Sequence, residues 1–520
     1  MGTIKILWAD DEIELLKIPI MFLEEKGYHV MTTNNGLDAI EAVKKNTFDI
    51  IFLDENMPGM TGLETLTKIK RINPTVPIVM ITKSEEEDIM EEAIGSKIDG
   101  FLIKPVNPKQ ILHSIKKNVE EKHLITKKTN SAYQTEFGKL GIQINDNLNF
   151  DDWKKLYKKL VYWEIELSQS TDQAMMEVLQ MQKSDANTSF AKFIKKNYFQ
   201  WFDPKTQEKP LLSSNLLRNK VFPLLNQKRK TVFILLDNFR FDQWKTFEPY
   251  ISEFYKVVEE DIYYSILPTA TQYSRNAIFA GLMPTEIEKL YPDLWLNDEE
   301  DGAKNQYEEE MLGKQLSRVG LNVRYHYDKI LNVRAGQKIV ENIKDLLNYD
   351  FIVLVYNFID MLSHARTEVE MIKELAFDEK AYRSLSLSWF LNSSLIQVFK
   401  ELADKNVDIV ISTDHGSIMV NNPIKVIGDK QTSTNLRYKN GKNLNYNYKE
   451  VFAVTDPSKA HLPLSHISTS YIFAQNNDFF AYPNNYNYYA KFYKNTFQHG
   501  GVSLEEMLIP VIHLKSKNAE

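Results

Sequence analysis

The chain contains no cysteine. That excludes disulfides, thiolate metal sites and cysteine nucleophiles, and it suits a reducing compartment. Long apolar runs are missing as well: the longest are of strand length, well short of the roughly 20 residues that span a bilayer. Ile4-Lys-Ile-Leu-Trp8 leads straight into acids, unlike a signal peptide. No transmembrane segment is expected, and the cytoplasm is the expected location. Excess positive charge is lacking too. Against 63 Lys and Arg stand 70 Asp and Glu, a net charge of −7, which argues against a duplex-DNA binder that relies on overall charge, though a local nucleic-acid groove remains compatible. No recognition-helix pattern appears, so no duplex-DNA-binding module is expected. What is present is ordinary globular material, 43% apolar and 26% charged over 520 residues, enough for two to four domains.

The first 120 residues alternate strand-like and helical stretches. Ile4–Ala9, Tyr28–Thr32, Phe48–Leu53, Ile78–Ile81 and Ile98–Ile103 read as buried strands, which predicts a doubly wound parallel sheet. Polar residues stand at the strand ends: Asp10, Asp11, Asp54, Thr82 and Lys104. An acidic pair with a third carboxylate suits a Mg²⁺ ion that keeps some waters and approaches a phosphate.

The Asp10-Asp11 pair, Asp54-Glu-Asn-Met-Pro-Gly-Met-Thr-Gly62, Thr82 and Phe101-Leu-Ile-Lys104-Pro105 resemble the receiver domain of two-component response regulators, over residues 1–121. The resemblance implies phosphorylation of Asp54 by a sensor histidine kinase, with Asp10 and Asp11 on the magnesium side. It also implies phosphoryl contacts from Thr82 and Lys104, and an aromatic switch at Phe101. Phosphorylation is expected to reshape the face from Glu85 to Asn118.

Strand signals fade from there to 210. Asp151–Ile165 places apolar residues at 153, 156, 157, 160, 161 and 163 behind N-terminal acids, an amphipathic helix. Ala174–Met181 and Ser189–Phe202 continue in helical style, so 122–210 is expected to be a helical linker bundle.

In 211–520, three mostly apolar runs rich in Val and Ile stop at acids: Thr231–Leu236 at Asp237, Phe351–Ile359 at Asp360, and Val407–Thr413 at Asp414. Such runs read as buried parallel strands, and open α/β sheets bind ligands beyond the carboxyl ends of their strands. His364 follows Asp360 by four residues, His415 follows Asp414 directly, and His499 lies further on. Pro268-Thr-Ala-Thr271, followed by a helical run closing at Gly281, puts a hydroxyl at a helix N-terminus. There it meets free amide protons and suits a nucleophile whose pKa a metal lowers. Thr269 competes with Thr271 for that role.

Asp237, Thr271, Asp360-Met-Leu-Ser-His364, Ser412-Thr-Asp-His-Gly416 and His499-Gly-Gly-Val-Ser-Leu-Glu-Glu-Met resemble the alkaline phosphatase superfamily, and within it the PglZ branch. The resemblance implies a large α/β domain with two Zn²⁺ ions. Asp237, Asp414 and His415 would hold one ion, which activates Thr271, and Asp360, His364 and His499 the other. Carboxylates and imidazoles, three to each ion, fit zinc. Arg275, one turn past Thr271, is the candidate phosphate contact. His461 and His466 stand outside the pattern.

Residues 417–498 are expected to form an inserted cap. Asn440-Gly441 signals a hairpin turn. Phe479, Phe480, Tyr482, Tyr486, Tyr488, Tyr489, Phe492 and Tyr493 lie near Lys491 and Lys494. They read either as a surface that stacks nucleobases or as the cap's own core.

In that order, receiver, linker and PglZ domain resemble PorX-type response regulators. The resemblance implies a zinc-dependent phosphodiesterase acting on nucleotide or oligonucleotide phosphodiesters, in signalling linked to type IX secretion. A sigma factor, a secretion-system component and a homodimer formed on phosphorylation are the implied partners. A signalling scaffold with a vestigial metal site, and a phosphomonoesterase or sulfatase of the same superfamily, are the alternative readings.

Overall fold

Apolar strand runs alternating with helices produce two separate sheets, each in its own unit, Met1–Gln134 and Thr135–Glu520. The structure is a computed structural model. It describes residues 4–517 except 75, 84–97, 170–172, 299, 301 and 430–431, and leaves the side chains of 120–127 undescribed. The expected switch face therefore lies partly outside the described residues, at 85–97.

The first unit carries β1 (Lys5–Ala9), β2 (His29–Thr33), β3 (Ile50–Asp54), β4 (Ile78–Thr82) and β5 (Gly100–Ile103) in the order β2-β1-β3-β4-β5. All pairings are parallel. Side chains alternate across the sheet, so Leu7 and Ala9 join one apolar cluster while Ile6 and Trp8 join the other. Burial on both faces explains why these strands read as continuous apolar runs. The helix after β3, Gly62–Ile72, starts in a capping box made by Thr61 and Glu64.

The second unit is built on β6 (Thr231–Leu236), β7 (Tyr255–Tyr264), β8 (Tyr325–Ile330), β9 (Phe351–Tyr356), β10 (Asp408–Ser412) and a late strand, Leu508–Ser516, called β18 because the insert supplies seven before it. The sheet order is β7-β18-β10-β6-β9-β8. Strands β10, β6, β9 and β8 run parallel, and β18 is antiparallel to both its neighbours. All residues of β6, β9 and β10 are buried.

One expectation is corrected here. The run towards Asp360 is not strand throughout: β9 ends at Tyr356, and Asp360 lies in the first turn of helix Phe358–Glu368. Asp360 and His364 therefore share a helix face, at the spacing that brings side chains together.

After helix Glu121–Asn145 the linker continues in two helices, Phe150–Ser168 and Gln173–Asn197. The second runs unbroken where two shorter helices were expected. Trp153, Leu156, Tyr157, Leu160 and Val161 are buried as the periodicity requires, and Asn149 caps the first helix. The start of the first helix and the end of the second pack near the six-stranded sheet: Tyr264 of β7 donates to the carbonyl of Phe150 at 2.7 Å, and Tyr198, just past the second helix, accepts from the amide of Leu267 at 2.8 Å.

The insert contributes β11 (Ile418–Val420), β12 (Asn422–Lys425), β13 (Tyr438–Gly441), β14 (Val451–Val454), β15 (Ser470–Ala474), β16 (Asp478–Ala481) and β17 (Thr496–Gln498). Strands β11 and β17 pair at its neck. The insert thus leaves just after Gly416 and returns just before His499. Asn440-Gly441 is not a hairpin turn; it lies in β13, paired with Tyr471 and Ser470 of β15. Ser433 takes over the role of local partner by bonding Asn440 through both its backbone and its hydroxyl. The aromatic run divides. Phe479 and Phe480 are buried in β16, whereas helix Tyr486–Tyr493 buries none of its residues.

Candidate active site

Three elements of the second unit end at one place. β6 delivers Asp237, whose amide continues the ladder to the Tyr356 carbonyl. Asn238 then turns the chain in the left-handed conformation that asparagine tolerates (φ 62°). β10 delivers Asp414 and His415. Helix Thr271–Ala280 starts with Thr271 and closes on left-handed Gly281.

Asp237, Asp414 and His415 are all buried, and their ligand atoms lie within 4.8 Å of one another. The His415 Nε2 stands 3.7 Å from both an Asp237 and an Asp414 oxygen. Thr271 Oγ1 is 3.1 Å from His415 Nε2 and 3.5 Å from Asp237 Oδ1. Asp360, His364 and His499 form the second group, again with ligand atoms within 4.8 Å. Here His364 Nε2 lies 3.4 Å and His499 Nε2 3.7 Å from Asp360 oxygens. The His415 and His499 rings stack with centroids 4.1 Å apart, which joins the two groups.

This donor set fits divalent metal. The Nδ1 of His415 faces the Gly416 carbonyl at 3.2 Å, and that of His499 faces the Thr269 carbonyl at 3.1 Å. Each Nδ1 must carry the proton, which leaves the Nε2 lone pairs facing carboxylate oxygens. Lone pair against carboxylate is repulsive unless a cation lies between them. Asp414 Oδ2 is buried with no hydrogen-bond partner, another acceptor without a donor.

The electrostatics agree. Burial pushes the Asp237 carboxyl well up, although Arg275 pulls it back, and burial raises Asp414 to about 6. Burial lowers His415, and it lowers His499 to about 3 with help from the His415 charge, so both imidazoles are neutral and able to ligate. Burial opposes ionisation of Asp360, yet His364 and His499 hold its carboxyl below the usual range. The hydrogen bond to Asp360 raises His364.

The structure brings all seven expected residues together. Thr269 is fully engaged: its hydroxyl donates to the Gly501 carbonyl at 2.9 Å and accepts from the Gly500 amide at 3.0 Å. Arg275 is fully buried behind the first group. It pairs with Asp237 at 2.8 Å and Glu308 at 2.7 Å, and its Nη2 is without a hydrogen-bond partner. Sequence reading missed Asn238, which donates to Asp360 at 3.2 Å, and Glu308; neither belongs to a motif. A cavity of about 670 Å³ opens beside the second group. Its lining includes Asp298, His364, Thr367, Glu368 and His499 of the body and Thr432–Leu436, Tyr438, Tyr493 and Gln498 of the insert.

In the first unit, Lys104 Nζ bridges Asp10 at 2.9 Å and Asp54 at 2.7 Å. Burial raises the Asp54 carboxyl against the pull of Lys104. Asp10, Asp11 and Glu12 form a further group with metal-ligand spacing; Glu12 had not been singled out. Thr82 is buried and donates to Glu55, and Phe101 packs half-buried against the core cluster. A Cβ at Gly62 would overlap the Asp54 backbone carbonyl, which explains the glycine there.

Fold and sites together define a class of protein: a receiver joined to an alkaline-phosphatase-like α/β domain. Family comparison agrees on each part. The receiver domain of response regulators matches residues 6–116. The PorX response regulator linker domain matches 123–202. The BREX system PglZ alkaline phosphatase-like domain matches 216–514. The chain belongs to the PglZ family, and its three matches in this order are those of a PorX-type response regulator.

Similar curated proteins include the transcriptional regulatory protein ZraR of Escherichia coli (strain K12). It is 31% identical over 139 residues, 27% of this chain and 32% of that protein. Another is the CpxR homolog of Haemophilus influenzae, 34% identical over 114 residues, 22% of this chain and 48% of that protein. The chain thus spans about a third of the length of the ZraR relatives. Among solved structures, the chemotaxis response regulator CheY4 of Vibrio cholerae is 30% identical. It covers 23% of this chain and all of its own, with a TM-score of 0.22. A CheY-like receiver from Methanospirillum hungatei is 26% identical, covering 23% of this chain and 96% of its own, with a TM-score of 0.23. A receiver implies a sensor kinase as phosphoryl donor. Among the described residues no helix is long and apolar enough to cross a membrane.

Proposed function

We propose that the protein is a response regulator phosphorylated on Asp54 whose output is a zinc-dependent phosphodiesterase acting on nucleotide or oligonucleotide phosphodiesters. The observation that carries this reading is the hydroxyl of Thr271 held against the first of two adjoining ligand groups. Asp237, Asp414 and His415 would hold one Zn²⁺, and Asp360, His364 and His499 the other. Asp10 and Asp11, with Glu12 beside them, would hold Mg²⁺ next to Asp54.

Bound there, the zinc ions would lower the hydroxyl pKa and offset charge on the attacking and leaving oxygens. The chain's own residues do the rest. Thr271 Oγ1 forms a bond to phosphorus and gives its proton to water, the bond from phosphorus to the leaving oxygen breaks, and the departing alkoxide takes a proton from water. Water then cleaves the threonyl ester. The N-terminal amides of helix Thr271–Ala280 favour the anionic phosphoryl group. Arg275, buried behind Asp237, orients that carboxylate. The cavity beside the second group offers hydroxyls, amides and two tyrosines to an ester group on the phosphorus, which supports a diester over a monoester. A homodimer on phosphorylation, a sigma factor and a secretion component as partners, and a link to type IX secretion rest on the resemblance to PorX-type regulators.

The test uses the zinc-loaded full chain on a phosphodiester and a phosphomonoester. Thr271→Ala is expected to lower kcat by about three orders of magnitude or more while both ions still bind. Asp54→Ala is expected to keep hydrolysis and lose phosphoacceptance from a small phosphoryl donor. Unchanged turnover in Thr271→Ala would remove the nucleophile assignment. No hydrolysis by wild type with two ions bound would favour a scaffold.

A further inference from the structure

The stretch that carries His499 continues into a four-residue helix, Leu504–Met507, and this short helix bonds the backbone beside both ligand groups, at Gly416 and at Gly501. On one side, the carbonyl of Glu506 accepts from the Gly416 amide at 3.2 Å, next to His415. A Cβ at Gly416 would overlap the Glu505 backbone oxygen, so the two backbones are in direct contact. On the other side, the Glu506 carboxylate accepts from the Gly501 amide at 2.8 Å. Thr269 clamps Gly500 and Gly501, and its carbonyl holds the His499 ring.

The far end of this short helix is held by the linker. Asn187, in the middle of helix Gln173–Asn197, accepts from the Leu504 amide at 2.7 Å and donates to the Glu505 carboxylate at 3.1 Å. Lys183, one turn earlier, reaches the same carboxylate at 3.2 Å. Asn187, Lys183 and Glu505 are all buried. A buried asparagine that satisfies both a helix-end amide and a carboxylate fixes position, since either bond alone would leave a buried group unpaired.

We infer that the linker helix is a positioning element of the metal site. Asn187 and Lys183 are its positioning residues, and they act through Leu504–Met507 on the loops bearing His415 and His499. The inference rests on the reading of the two groups as metal sites. It assigns the linker a part in site geometry beyond that of a connector. A displacement of helix Gln173–Asn197 would therefore be felt at both ligand groups.

The test is a donor–acceptor swap in the full-length, metal-stripped chain, titrated with zinc alone. Asn187→Asp keeps the acceptor for the Leu504 amide but sets a carboxylate against Glu505. It is expected to raise the Kd of one or both zinc ions by about 10–100-fold and to lower kcat on a small chromogenic phosphodiester with KM unchanged. Adding Glu505→Gln restores a donor facing the new carboxylate and is expected to recover most of the lost affinity. Lys183→Met, which leaves Asn187 in place, is expected to shift zinc affinity in the same direction by less. Should Asn187→Asp fail to fold, the swap pair and Lys183→Met decide by the same readout. Zinc affinities and kcat equal to wild type alongside a lowered melting temperature would overturn the inference and leave a merely structural tether. If the wild type cleaves no phosphoester, the phosphodiesterase reading fails, and the zinc titrations still decide the positioning role.

Discussion

Residues that must meet a metal announce themselves by type, while residues that make room for them do not. Asp237 and Asp414 were legible because each ends an apolar run, and His499 because its stretch resembles a superfamily motif. Arg275 was legible as a cation near Thr271, but its role turned on two partners. Glu308, more than thirty residues away in sequence, and Asp237 occupy its guanidinium. Such pairing is set by tertiary structure and leaves no local trace. Gly416 is the opposite case: visible inside a motif, with its reason visible only in the fold. Its added methyl would meet the backbone carbonyl of Glu505, and backbone cannot rotate aside. Gly416→Ala is therefore expected to destabilise the second unit by about 1–3 kcal/mol, as overpacking does. It should also weaken zinc binding, measured by denaturant unfolding and calorimetric titration of the same protein.

At the scale of elements, strand sequences told more than loops did. The six-residue runs of β6 and β9 and the five of β10 are buried throughout, so their composition alone revealed them. The insert was hard to read because its short strands are partnered by segments far away in sequence. Asn440-Gly441 carries the composition of a turn, yet β15 recruits it into a sheet. Next to it, Lys439 is buried and meets no carboxylate among the described residues. It donates to the Ser433 carbonyl at 2.8 Å and stands over the Tyr482 ring. Burial pulls its ammonium down to about 7, against about 10.4 for an unfolded lysine. Between those values the unfolded chain binds the extra proton, so folding stability gained at Lys439 rises with pH from roughly 7 to 10. Lys439→Met should remove that slope. Unfolding free energies measured at intervals across this range in both proteins check it, and parallel curves would refute it.

Taken whole, the molecule consists of two units with separate cores and separate groups of metal-ligand spacing. Their order along the chain could be read because each begins with its own alternation of strands and helices. The membership of the linker could not. Helix Gln173–Asn197 looks like a connector by composition, but its Asn187 and Lys183 are buried against the last stretch of the chain. Scanning calorimetry of the full chain is expected to show two transitions. Zinc at about 100 times its Kd should stabilise only the one belonging to the second unit, by about 2.7 kcal/mol for each ion bound. A zinc shift of both transitions together would mean that the units unfold as one.

The position of β18 has a consequence for how the protein comes into being. This strand, Leu508–Ser516, sits between β7 and β10, so the sheet beneath the metal groups stays split until it arrives. A ribosome adds about 5–20 residues per second, and the roughly 100 residues from the end of β10 to the end of β18 pass in about 5–20 s at that rate. The receiver's sheet is finished with β5, long before. During synthesis the receiver's sheet can thus be complete while the sheet that carries Asp237 and Asp414 is still open, and that sheet closes only with β18.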